Sequence, residues 1–199
     1  LGCPNQAKQG TARVQLPAAE AAGVETVTRA EVLRVESAPA DEDARAVAHV
    51  EVRSRDPGGK GTEPEWEPGE YRVTADTVVV AGGSVGSTAL LLRSGFGRGL
   101  PRLGAGFTCH PAFILVAEHP ESITNDVGHP KSYYLDRADT EGWVLETCMY
   151  FPFVTAKNLS GFGPEHSAFM RAFDRLQMIL VLAADEAVPS NRIEVDDDG

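Results

Sequence analysis

Residues 78–95 read VVVAGGSVGSTALLLRSG: a β-branched run, a glycine-rich turn and an apolar segment. The run from Thr77 to Ala81 has the composition of a strand buried on both faces, and the residues after the turn have that of a helix. Strand, tight turn and helix together form the unit that holds a dinucleotide in open α/β folds, so the reading of this turn decides the fold.

In Ala81-x-Gly83-x-x-Gly86 the spacing matches a dinucleotide fingerprint with alanine in the first place. Small residues at these positions let the backbone approach a pyrophosphate at a helix N-terminus. The complete fingerprint also needs an acidic residue about twenty positions on and a second parallel strand after the helix. Neither follows here: no Asp or Glu occurs between Asp76 and Glu118, and the helix runs into FGRGLPRLGAGFTCHP, with four glycines and two prolines. The turn is therefore not the first βαβ unit of a self-sufficient nucleotide domain. The plain alternative is a strand crossing close over a helix, its glycines serving packing alone. Arg93, Arg98 and Arg102 stand in this acid-free stretch and suit either a nearby anion or the negative C-terminal end of the helix.

Upstream, residues 13–22 (RVQLPAAEAA) predict an approach segment and a short helix that Gly23 stops. Residues 24–35 alternate like a half-buried strand, and residues 37–45 (SAPADEDAR) form a solvated turn before a strand at 47–52. The breaker DPGGKG at 56–61 separates that strand from one at 71–73, which gives an antiparallel β-meander at about 46–75, inserted before Thr77. Downstream, strands are expected at 113–118 and 143–151. Residues 166–182 predict a helix whose second half, 177–182, is apolar enough to be a strand instead. A domain change is expected near residue 111, and no internal repeat is found.

The 199 residues are 42% hydrophobic and 24% charged, ordinary for a globular chain, and the formal net charge is -11. That balance argues against nucleic acid or an anionic membrane surface as partner, since both demand a basic face. Cys3, Cys109 and Cys148 are odd in number and far apart, which supports neither a disulfide framework nor a CxxC metal site. His119, His129 and His166 lack ligand-like spacing, so no metal is expected. No apolar run reaches the length of a transmembrane helix. Nothing read here fixes the compartment, and a cytoplasmic location is the default expectation. A start without methionine and a stop at VDDDG suggest a piece of a longer protein.

Five segments in order carry a resemblance. Residues 2–10 (GCPNQAKQG), 16–19 (LPAA), 28–35 (TRAEVLRV), 77–95 with Leu103-Gly104 and His110-Pro111, and 189–195 (PSNRIEV) together resemble the glucose-methanol-choline (GMC) oxidoreductases, which oxidise alcohols with FAD. Gly10 and Thr88 depart from the serine and proline that many relatives carry. The family's N-terminal GxGxxG and its C-terminal catalytic histidine pair have no counterpart in this sequence.

The resemblance implies a mixed α/β (α+β) architecture. Residues 1–111 would be the back half of a Rossmann-like FAD-binding domain. Residues 112–188 would be part of a substrate domain on an antiparallel sheet, and residues 189–199 the start of a C-terminal strand region. It implies that the Val32 backbone meets the adenine edge and that Ala81, Gly82 and Gly83 pass close to the FAD, where missing side chains are the useful property. The plain alternative for Val32 is a core residue. No catalytic base can be named in this chain, which by itself is expected to be inactive. His110, beside Cys109, reads as a histidine fixed by loop hydrogen bonds rather than a proton shuttle.

Further expectations follow from the same resemblance. The partners are a small-molecule alcohol and the remaining N- and C-terminal portions of the enzyme, in cis or as another chain. Ala112 stands where choline-oxidising relatives carry an acid, which disfavours a cationic alcohol. Aromatic residues such as Tyr133, Tyr150, Phe153 and Phe162 are candidates for an apolar substrate cavity, or for simple core packing. Two other readings stay open: a lyase on the same scaffold that uses FAD without net redox chemistry, and a non-catalytic subunit that completes a partner chain.

Overall fold

The computed structural model of the chain describes residues 5, 7–40, 42–54, 63–123, 131–148 and 150–196. The breaker at 56–61, His129, Cys3 and the closing acidic run at 197–199 lie outside the described residues, as does most of GCPNQ. The fold is mixed α and β, with two antiparallel sheets in two compact units, residues 1–104 with 193–199 and residues 105–192.

The first unit opens with helix α1, Gln15–Ala21. Gly23 stops it as the sequence predicts: at φ +92 its N–H donates to Glu20 C=O (2.9 Å), and Val24 N–H reaches back to Ala19 C=O (3.0 Å). A side chain would strain that left-handed backbone. The meander follows as β1 (Ala30–Ser37), β2 (Ala46–Val52) and β3 (Gly69–Ala75), in spatial order β1-β2-β3. One face holds the core. Val35, Ala48, Val50 and Val52 are buried, with Trp66, Tyr71, Val78, Leu90 and Leu91 packed against them. β1 begins at Ala30, later than the expected strand from residue 24, and residues 24–27 join no sheet.

Residues 77–81 correct the sequence reading. They form no strand; Val79 is 81% exposed, while Val78 turns in against the meander core. A β-branched run becomes a strand only where a ladder is offered to it, and among the described residues none is. Helix α2, Gly83–Arg93, follows the turn as expected and packs on β1. Its last turn is tied to the sheet: Ser94 Oγ donates to Leu90 C=O (2.7 Å) and accepts from Val35 N–H (3.0 Å). Residues 189–195 also depart from expectation. No strand forms there, only an isolated antiparallel bridge between Arg192 and Ala105.

The second unit is a four-stranded antiparallel sheet of β4 (Ala112–Glu118), β5 (Tyr134–Arg137), β6 (Trp143–Cys148) and β7 (Leu176–Ala183), in the order β4-β7-β6-β5. A short helix α3, Ala138–Glu141, turns β5 into β6. Helices α4 (Pro152–Asn158) and α5 (Pro164–Arg171) lead into β7, with Leu176, Met178 and Thr155 fully buried. Residues 166–182 thus divide between helix and strand. α5 ends at Arg171, and the apolar second half pairs with both β4 and β6, because only a central strand buries a continuous apolar run on two faces. The expected strand at 143–151 ends at Cys148, and Pro152 opens α4, a helix the sequence reading did not contain.

Candidate functional site

A groove of about 550 Å³ lies in the first unit between the outer edge of β1, residues 78–82 and α2. Val32 and Val35 line it from β1, Ala81 and Gly82 from the turn, and Ser87, Leu90 and Arg93 from α2. The composition explains the shape. Where the chain passes from residue 81 into the helix, Ala81, Gly82 and Gly83 carry no side chain larger than a methyl, so nothing from the turn fills the space.

Each wall has a local cause. β1 is an edge strand, and its register against β2 shifts between Val32 and Arg34 because Leu33 is one residue too many for its partner. Arg53 N–H donates to Arg29 C=O (3.0 Å), so residues 29 and 31 turn their backbone groups towards β2 and Val32 turns its own outward. Beyond the bulge, Ala38 N–H bonds to Arg45 C=O (3.0 Å), so the even residues now face β2, and Val35 faces outward to Ser94. In a regular strand, residues three apart face opposite sides. The bulge puts the backbone of both Val32 and Val35 on the groove side.

The turn separates the roles of its glycines. Gly83 begins α2 at φ +76, where a side chain would be strained, yet a Cβ there would meet nothing within 4 Å. A Cβ on Gly82 would come within 3.4 Å of Ser87 N and 3.5 Å of Gly86 C. Gly86 is open, with nothing within 4 Å. Backbone conformation thus accounts for Gly83, whereas a Cβ on Gly82 would make only ordinary van der Waals contact and one on Gly86 would meet nothing, so neither packing nor strain within the described residues requires glycine at those two positions. The N-terminus of α2 carries no side-chain cap and no acid in its first turn, so among the described residues no side chain caps its amides or offsets the positive end of its dipole within that turn.

The charged groups at the rim are balanced. Glu31 lines the groove and pairs with Arg53 (3.0 Å). The hydrogen bond to Glu51, then the charges of Glu51 and Glu31, hold the Arg53 guanidinium above its ordinary range. Arg93 sits in the last turn of α2 and lines the groove; Arg98 ends the following 3-10 turn and is not among the lining residues.

Of the four residues singled out from sequence, Val32, Ala81 and Gly82 line this one groove, and Gly83 adjoins it without lining it. Val32 is 39% exposed in this chain. Sequence reasoning missed Ser87 and Leu90, and no spacing signal marked them: they reach the groove through the docking of α2 on β1, while Ser94 does not line it and instead bonds Val35 N–H.

Other candidates lie elsewhere. His110 is exposed, and its ring makes no hydrogen bond among the described residues. The hydrogen bond beside it is from Cys109 N–H to Asp185 Oδ2 (3.2 Å). His119 pairs with Gln177 (2.8 Å) and His166 with Ala156 C=O (2.7 Å). Among the described residues no group of His, Cys, Asp or Glu could hold a metal ion, and no helix is long and apolar enough to cross a membrane. The aromatic candidates of the second unit are largely on its surface, with Tyr133, Phe153 and Phe162 at 78%, 80% and 95% exposure.

Comparison with known proteins matches residues 1–112 to the family model described as GMC oxidoreductase. Two curated relatives, both named as uncharacterized GMC-type oxidoreductases of Mycobacterium tuberculosis, come from strains CDC 1551 / Oshkosh and ATCC 25618 / H37Rv. Each is 31% identical over 185 residues, covering 92% of this chain and 26% of the relative. The chain therefore spans about a quarter of the length of the curated relatives it matches.

Proposed function

The chain belongs to the GMC oxidoreductase family, and on that premise we propose that it forms part of an FAD-dependent enzyme that oxidises an alcohol, with the groove beside Val32 holding the adenosine end of the cofactor. The single observation that carries this reading is the Val32 backbone, turned to the groove on the free edge of β1 by its pairing with β2, opposite a wall of Ala81 and Gly82. An outward N–H and C=O on one residue are a donor and an acceptor side by side, which is what the edge of an adenine ring asks for. The uncapped N-terminus of α2 and the open position at Gly86 also fit a bulky anionic dinucleotide.

Bound FAD would supply the hydride acceptor for the alcohol carbon. This chain's residues would bind and orient it: the β1 edge by backbone hydrogen bonds, the 81–82 turn by close approach, and the valines of the groove by excluding water from the ring faces. The base that takes the alcohol proton is not among them. On the domain plan, residues 1–111 serve the cofactor and residues 112–188 the substrate.

The second unit supports the view that other portions of the polypeptide, or a partner chain, complete the enzyme. All seven residues of β4 are exposed, including Phe113 at 62% and Leu115 at 55%, and an apolar strand of this kind calls for cover.

The test is to purify the full polypeptide that carries this chain and follow its flavin spectrum. Anaerobic bleaching of bound flavin by an alcohol supports the reading. A flavin-loaded protein that turns over substrate without ever bleaching would move the assignment to a lyase on the same scaffold.

A further inference from the structure

Ser94 closes α2 at the far end of the groove from the glycine turn. Its hydroxyl spans two elements, donating to Leu90 C=O (2.7 Å) and accepting the outward N–H of Val35 (3.0 Å). A C-terminal helix residue has no need of this second bond: Ser94 N–H already bonds to Leu90 C=O (3.0 Å), and Gly95 takes the left-handed position that ends the helix, with its N–H on Leu92 C=O (3.0 Å). The hydroxyl's distinctive contact is therefore with the free edge of β1. That edge is where the extra residue Leu33 lies; a bulge leaves such a residue unpaired and the ladder locally interrupted, and β1 has no second strand on its outer side to hold it.

We infer that Ser94 is a positioning residue for the groove: by taking the Val35 N–H it pins the bulged register of β1, so that Val35, and not Arg34, shares the groove side of the strand with Val32. This rests on the cofactor reading of the groove given above. Two alternatives face the strand beyond Val32. If the register slips by one residue so that the bulge is lost, the outward set becomes Val32 and Arg34, and a long cation takes the place of Val35 at the helix. With Ser94 bonded, Val35 stays buried in the meander core at 5% exposure and the bulge is retained. Ser94 touches neither substrate nor cofactor in this scheme; it acts through β1.

The experiment compares wild type, Ser94→Ala, Ser94→Thr and, as a control for mere helix destabilisation, Leu92→Ala, all in the full polypeptide. Two readouts are taken: amide hydrogen exchange across residues 30–37, and the dissociation constant for FAD. Losing one hydrogen bond predicts exchange about three- to tenfold faster at Val35 and its strand neighbours in Ser94→Ala, and FAD binding weakened by a similar factor. Ser94→Thr restores both. Leu92→Ala lowers the melting temperature without selectively loosening β1.

Unchanged exchange in β1 of Ser94→Ala overturns the inference, as does a loss of FAD affinity that follows melting temperature equally in Ser94→Ala and Leu92→Ala. If wild type takes up no FAD, the cofactor reading falls, while the exchange arm still decides whether Ser94 sets the edge.

Discussion

Gly104 and Ile193, 89 positions apart in the chain, are in backbone contact: Ile193 N–H donates to Gly104 C=O at 2.9 Å, and a Cβ on Gly104 would lie 2.4 Å from Ile193 O. Leu103-Gly104 and PSNRIEV are two of the segments that carry the family resemblance, and the fold brings them together.

Gly104→Ala therefore meets two penalties. Gly104 has φ +83, where a Cβ costs about 1–2 kcal/mol, and the clash is with backbone that cannot swing away. Gly23→Ala is the control, with φ +92 but nothing within 4 Å, and it pays the conformational cost alone. Chemical denaturation should show Gly104→Ala losing at least about 1 kcal/mol more than Gly23→Ala. Equal losses would mean that the segment around Ile193 yields freely.

The meander carries an acidic row. Glu31 lies opposite Glu51 and Glu51 opposite Glu70, and Arg53 bonds the first two (3.0 and 2.7 Å). Glu70 makes no ion pair among the described residues. Like charges directly opposite one another are unfavourable, so Glu70→Lys should stabilise the protein by about 0.2–1 kcal/mol. The gain should shrink in high salt, because the pair is exposed and screened. A gain that persists undiminished in high salt would point to a cause other than charge.

Glu65 links pH to stability. Thr28 donates both its N–H (2.7 Å) and its hydroxyl (3.0 Å) to one carboxylate oxygen, and the backbone bond foremost holds the Glu65 carboxyl below its ordinary 4.5. A lowered folded-state value means that this contribution is present above pH 4.5 and is lost as the pH falls through the lower folded value. Stability measured across that interval should fall less steeply in Glu65→Gln than in wild type. Parallel curves would show that the Thr28 contact has no part in acid unfolding.

The sequence made the meander legible because its period-two pattern and its breakers agree, and it made the turn legible because Gly82, Gly83 and Gly86 have few other uses. It misread residues 77–81, since composition reports what a run would suit and not whether a ladder partner stands beside it. It left 166–182 divided, because an apolar run is the same signal in a helix and in a central strand. The bulge at Leu33 is invisible in one dimension: it exists only as a mismatch between β1 and β2. The role of Ser94 follows from that mismatch and from the docking of α2, so it too could come only from the assembled fold.

The central claim is that the groove between β1 and the 81–82 turn takes FAD, and Ala81 tests it most directly. Ala81 is exposed and lines the groove, so Ala81→Phe fills the space with little cost to the fold. The measurement is the FAD dissociation constant of the full polypeptide, wild type against Ala81→Phe, with melting temperature of the flavin-free forms alongside. The wild type should bind flavin, and the variant should bind it at least about tenfold more weakly at unchanged melting temperature. Equal affinity in the two proteins, or a wild type that stays colourless after reconstitution with FAD, would contradict it.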